Sequence, residues 1–238
     1  MKAHIPWLRV FVEGVVIVGS ILLAFGLQAW WEGLQDEGRA QDHLLALQGE
    51  FVANLDSLNG NITRLEEIKG AAAELLAIIV GEEGRPSADS LAGLTWNAFS
   101  FPPYEPFTVA YDNLIGSGDI ALLRDGQLNA DLALFMSQVE HYRRGELQMD
   151  QWKRVIQQFV TTEMSPLDWL SRDYRANNDL PEPARSTDWD DLLQSREFEG
   201  ILVNRIIGAS DNLMILNRVV PPAERIVTRL HTLLQGTY

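Results

Sequence analysis

The sequence predicts an all-α fold: one N-terminal transmembrane helix continuing into a long amphipathic helix, packed with two further long helices and short accessory helices as a bundle. Three observations predict it. Residues 10–31 are apolar almost throughout, with Glu13 their one charge. Apolar residues then recur at heptad spacing, and no stretch alternates as a strand would.

Composition sets the limits. A chain of 238 residues leaves enough beyond the span for one sizeable domain. With 46% hydrophobic and 22% charged residues, that domain is globular rather than disordered. Cysteine is absent, which excludes thiolate metal sites, thiol catalysis and disulfides. The net charge is −14, and residues 1–31 hold Lys2 and Arg9 against Glu13, a net +1, so residues 32–238 carry −15. Such a body is repelled by phosphate backbones and anionic lipid surfaces, and nucleic acid is not an expected partner.

A helix over residues 10–31 is about 33 Å long, enough for a bilayer core of about 30 Å. Trp7 precedes it and Trp30 and Trp31 close it, so Trp7, Arg9, Trp30 and Trp31 are the candidate interface anchors. Lys2, Arg9 and the terminal amine lie on one side; Glu32, Asp36 and Glu37 lie on the other. The positive-inside rule then makes residues 1–9 a cytoplasmic tail and residues 10–31 the transmembrane helix. Residues 32–238 become a periplasmic or extracellular helical bundle domain. So short a tail holds no enzymatic or signalling output. The rival reading is a cleaved secretory signal, because Ala24 and Gly26 form a small-x-small site; against it, the apolar run exceeds the usual length and continues into a tryptophan pair. Inside the span, Arg9, Glu13, Ser20, Ala24 and Gln28 share one stripe. Glu13, Ser20, Ala24 and Gln28 are candidates for a helix contact in lipid, beside the plainer reading that Glu13 pairs with Arg9 one turn away.

Beyond the membrane, Leu44, Phe51, Leu58, Leu65, Ala72 and Ile79 recur every seven residues. Leu55, Ile62 and Leu76 fill the complementary positions, interrupted by Gln48 and Lys69, and the helix is expected to run on from the span. Gly49, Gly60 and Gly70 weaken it by roughly 1 kcal/mol each. Residues 81–90 are a stop and loop, with Pro86 and caps at Ser87 and Asp89, before a short helix over 90–99. Pro102, Pro103 and Pro106 exclude regular structure around Phe101, Tyr104 and Phe107. A helix over 108–115 ends at Gly116-Ser117-Gly118, followed by a turn at 119–123. The second long helix covers 127–163, with a seam of Leu128, Leu132, Phe135, Val139 and Tyr142 continued by Met149, Trp152, Ile156 and Phe159. Residues 165–187 read as an irregular loop, and Ser186 or Thr187 caps a short helix near Trp189. The last helix has the cleanest pattern: Leu202, Ile206, Ala209, Leu213, Leu216, Val220, Ala223, Val227, Leu230 and Leu234. Pro221 and Pro222 interrupt its hydrogen bonds, and the unbroken register predicts a kink rather than a break.

Catalytic chemistry is not legible. His4, His43, His141 and His231 lack metal-ligand spacing, Gly116-Ser117-Gly118 is not a nucleophile elbow, and there is no phosphate loop or dinucleotide fingerprint. No catalytic residue, metal or cofactor is expected. Residues 96–111 gather one Trp, three Phe and two Tyr among prolines. Such a cluster caps a bundle end, or lines a pocket or docking surface; the candidates are Trp96, Phe101, Tyr104, Phe107, Tyr111 and Asp112.

Glu13, the Val/Ile-rich run at 15–25, Trp30-Trp31 and the charged helix containing Leu44, Leu47 and Asn54 resemble a family of uncharacterised bacterial single-pass membrane proteins. Tyr111-Asp112-x-Leu114, Gly118, Ile120, Leu128 and Leu132 are similar to its mid-chain pattern. The resemblance implies a bacterial inner-membrane protein with an extracytoplasmic helical domain, and it implies no activity. The chain departs from that pattern in the acidic run Glu32–Glu37, where the family is basic. The expected partners are the lipid bilayer and either another protein or a second copy of the chain. The expected role is a non-enzymatic, membrane-anchored helical interaction or scaffold module; the alternative is a ligand-sensing bundle acting through a partner membrane protein.

Overall fold

The computed structural model describes residues 7–170 and 172–236, with side chains throughout except at 7–10, 145–150, 172 and 173. It is an all-α bundle, with no strand among the described residues. The first helix, α1, is unbroken over Trp7–Ile79, about 110 Å. Every residue from Phe11 to Glu32 is exposed, and burial begins only near Leu44. Over that first part α1 is long and apolar enough to cross a membrane, and none of the described residues covers it. The expected continuity of span and amphipathic helix is therefore present.

Three further members complete the bundle, with short helices in the connections. The helix α2 (Ala88–Ala98) is capped by Ser87, whose hydroxyl accepts from the Ser90 amide, and it buries Leu91, Ala92 and Thr95. A nonhelical segment follows, then α3 (Val109–Ser117), which stops at Gly118 because that residue adopts φ 77°, a conformation glycine reaches without strain. A 3-10 turn (Asp119–Leu123) leads into α4 (Gly126–Glu163), capped by Asp125. Two short helices, α5 (Pro166–Trp169) and α6 (Arg172–Asn177), stand where the sequence reads as irregular loop. The cap of α7 (Trp189–Leu193) is Asp188, not Ser186 or Thr187; the Thr187 hydroxyl instead accepts from the Ser165 amide. The last helix, α8, runs over Arg196–Gln235 with Pro221 and Pro222 inside it, so the helix is not broken there.

Side-chain contacts fix the directions. From Arg64 with Asn97 and Ser100, through Asn54 with Phe107 and Glu50 with Ala110, to His43 with Asp119, rising numbers on one segment meet falling numbers on α1. The chain thus goes up α1, down through α2, the proline segment and α3, up α4 and down α8: an antiparallel four-membered bundle whose second member is interrupted.

The buried seam of α1 is Leu44, Leu47, Phe51, Asn54, Leu58, Leu65, Ile68, Ala72 and Leu75. Its second line lies one residue before the line of Leu55, Ile62 and Leu76, which are only partly buried. The same displacement occurs in α8, where Arg205, Val219 and Ile226 are buried and Ile206, Val220 and Val227 flank them. In each helix the first line read from the sequence is buried, and the second is displaced by one residue because polar residues occupy part of the true seam.

On the lower half, α4 and α8 are joined by Arg225–Asp131 at 2.7 Å and Arg229–Asp125 at 2.6 Å. Hydrogen bonds from Arg225 hold the Asp131 carboxyl below the usual range, against the opposing effect of burial. Burial pushes Asp125 up, but the Leu128 amide and Arg229 outweigh it and leave it lowered as well. Both therefore contribute stability that is complete above the unfolded carboxylate value of about 3.9 and lost as pH falls through the lower folded value. Unfolding midpoints should fall on acidification below roughly pH 4, and the Asp125→Asn, Asp131→Asn double variant should flatten that fall. An acid profile that the double variant leaves unaltered would remove the assignment.

Gly49, Gly60 and Gly70 face open space, and a Cβ at each would meet nothing within 4 Å. Alanine at each should stabilise the protein by about 0.5–1 kcal/mol in thermal or denaturant unfolding. A loss at any of them would mean that solvent does not face that site.

Candidate functional site

The apolar core is in two parts. A lower cluster joins Phe51, Leu58, Leu128, Phe135, Leu216 and Ile226; an upper one joins Ala72, Leu91, Phe159, Trp189 and Phe198. Between them is a waist, and the proline segment crosses it.

Residues 101–107 form no regular element, so their backbone groups need partners from elsewhere. Three long-helix side chains supply them at the segment and its two ends. Asn54, fully buried on α1, donates to the Phe107 carbonyl and accepts from the Phe107 amide, both at 2.8 Å. Glu50, one turn below, accepts from the Ala110 amide at 2.6 Å and the Tyr111 amide at 3.2 Å. It thereby caps α3, whose own N-cap Thr108 makes no such bond. Burial raises the Glu50 pKa, and those two amides oppose the rise. Arg205 on α8, 3% exposed, donates to the Ala98 carbonyl at 2.8 Å and the Ser100 carbonyl at 2.5 Å. Its guanidinium lies 4.1 Å from the centre of the Phe101 ring. Burial pulls the Arg205 pKa down to about 10, so it stays charged at neutral pH, and no carboxylate lies against it among the described residues.

Two clefts flank this junction. One, of about 320 Å³, is lined by Arg64, Trp96, Phe101 and Trp169. Trp96 packs on Trp169 at 5.0 Å and on Tyr174 at 5.6 Å between ring centres. The other is larger, about 650 Å³, and lies between α4 and α8. It opens along the stretch of α4 between the buried Tyr142 and Ile156, where the described side chains are exposed. Arg205 reaches it from the floor, Trp152 and Arg144 from α4, and Ile207, Met214 and Arg218 from α8.

Of the residues singled out from sequence, Trp96 and Phe101 share the smaller cleft. Tyr104 is in the core, edge-on to Tyr142 at 5.6 Å, and its buried hydroxyl has no hydrogen-bond partner among the described residues. The Phe107 ring is exposed while its backbone is clamped. Tyr111 and Asp112 open α3, and Asp112 accepts from the Thr108 hydroxyl at 2.9 Å. In the span, Glu13, Ser20, Ala24 and Gln28 are all exposed. Ser20 donates to the Val16 carbonyl and Gln28 to Glu32, within the same helix. Trp30 and Trp31 are also exposed, whereas the side chains of Trp7 and Arg9 lie outside the described residues.

Sequence reasoning missed Asn54, Glu50 and Arg205 as site residues. The legible signal was the spacing itself: seven-residue steps from Leu47 reach Asn54 and Ile68, and a similar count from Phe198 reaches Arg205. Among the described residues no cluster of three or more His, Asp or Glu is placed to hold a metal. No family model, no curated protein and no solved structure matches the chain.

Removing Asn54 should orphan both Phe107 groups. Asn54→Ala is expected to cost about 2–3 kcal/mol in unfolding experiments. Tyr104→Phe should be neutral or stabilising by up to about 1 kcal/mol, because it deletes a hydroxyl that nothing satisfies. The reverse order of effects would overturn the distinction between clamp and filler.

Proposed function

We propose that the protein is a single-pass protein of a bacterial inner membrane, N-terminus cytoplasmic, whose exported helical head is a non-enzymatic module for binding another protein or a second copy of itself. The observation that supports it most is the complete exposure of α1 from Phe11 to Glu32, continuous with a folded head. Leaving such a surface in water is unfavourable by about 25 cal/mol per Å² of apolar area, so lipid or another helix must cover it. Lys2 and Arg9 before the span, and Glu32, Asp36 and Glu37 after it, favour export of the head. The resemblance carried by Glu13, Trp30 and Trp31 supports the same address. A ligand-sensing head acting through a partner's membrane helix is the second reading, favoured by the open cleft between α4 and α8.

The chain has no cysteine, so single ones can be introduced cleanly. Oxidative crosslinking in native membranes should link Ser20→Cys and Ala24→Cys to a second copy, and a bifunctional reagent should link them to any other protein alongside. Leu22→Cys, on the opposite helix face, should stay monomeric. A Gly236→Cys variant should react with impermeant thiol reagents in intact cells. Monomers at every position with no co-purifying protein would end the interaction reading. Protection at Gly236 until lysis would end the topology.

A further inference from the structure

We infer that the cleft between α4 and α8 is a binding site for a soluble organic anion with an apolar body, an aryl or alkyl carboxylate or phosphate ester. The inference rests on the ligand-sensing reading above and names the ligand class. Charge is the first argument. The chain carries −14, yet among the described side chains that reach this cleft Arg144, Arg205, Arg218 and His141 stand against the acid Asp211. Arg144 is held by Glu140 at 3.8 Å, on the exposed side. Arg218 makes no ion pair among the described residues. Arg205 spends two donors on backbone carbonyls and keeps its positive charge beneath the cleft floor. A buried cation is ordinarily matched by an anion, and among the described residues no carboxylate pairs with Arg205. The acidic remainder does not cancel this field at contact range, because screening limits its reach to about 8 Å at physiological salt.

The second argument is shape and lining. Large apolar side chains exposed on a convex surface are common, but Trp152, Ile207 and Met214 face a concavity, at 37%, 53% and 51% exposure. Its volume, about 650 Å³, suits a molecule of a few tens of heavy atoms at most, and apolar walls with a few convergent charges are the usual make-up of a small-molecule site. A cation is disfavoured by the same charges that attract an anion. Bilayer lipid is out of reach: Leu65, which sits beside Arg205, stands about 50 Å beyond Trp31 along α1. The ligand therefore comes from the aqueous phase.

The test uses the full chain in lipid nanodiscs, with empty nanodiscs as the blank, and isothermal titration of three probes: 4-phenylbutyrate, 4-phenylbutylamine and inorganic phosphate. The expected result is saturable binding of phenylbutyrate alone, weakened about tenfold or more by Arg218→Glu and by Arg144→Glu. Both positions are exposed, so circular dichroism should show unchanged folding. Trp152→Ala should weaken binding while leaving its salt dependence in place. Absence of saturable phenylbutyrate binding up to about 10 mM, equal binding of the amine, or indifference to both arginine variants overturns the site. Phosphate binding as tight as phenylbutyrate overturns the apolar body. A flat titration would leave the crosslinks in the span untouched, and failed crosslinks would leave a positive titration standing, so the two readings fail separately.

Discussion

The bundle depends on one obligation: a proline-bearing segment that cannot satisfy its own backbone runs through the middle of the head. Pro102, Pro103 and Pro106 remove three donors and forbid a helix, yet residues 101–107 occupy the place of a bundle member. Asn54, Glu50 and Arg205 meet that obligation from α1 and α8. Each is a polar group placed in or beside a helix seam that would otherwise be apolar. The division of the core into upper and lower clusters falls at Arg205 on α8, between Leu202 and Ala209, where a buried cation stands in place of an apolar side chain; Asn54 and Glu50 reach the segment from within the length of the lower cluster.

Legibility followed the same line. Where helices pack leucine on leucine, as along Leu128, Leu132, Phe135 and Val139 in α4, the periodicity named the buried residues directly. Glycine and capping signals at Gly81, Ser87 and Gly118 marked ends to within about two residues, α2 beginning at Ala88 behind Ser87 with Asp89 inside its first turn, because their cause is local. Where a seam carries Asn54 or Arg205, apolar periodicity selects the neighbouring line, since it rewards hydrophobicity and has no means of valuing a side chain that serves a distant backbone. The cap of α7 was misplaced by one residue for a related reason: Ser186, Thr187 and Asp188 are all competent, and the choice is made by Thr187 being needed by Ser165 and by Asp168 accepting its amide. The two short helices α5 and α6 have no periodicity to read at their length.

The charge distribution has a comparable logic. Most of the acidic excess is solvated, but Asp125 and Asp131 are tied to α8, and Asp119 accepts from His43 at 3.1 Å and Arg39 at 3.3 Å where the head meets the emerging helix. Attachments between members thus include ion pairs at the lower end and the rings of Phe99, Phe159 and Phe198 at the upper. The waist has a little of each, and it is also where the cleft between α4 and α8 opens. A cationic floor beneath an apolar cleft is the by-product of anchoring the proline segment with an arginine rather than an amide.

Because α1 passes from Trp31 into the bundle with no loop between, the head has no swivel. Each added or removed residue in that stretch would turn the head by about 100° and shift it by about 1.5 Å relative to the span. Two such chains meeting face to face within a bilayer would accordingly present their clefts at one set bearing to each other. A rotation imposed on the apolar first part of the rod would reappear at its far end.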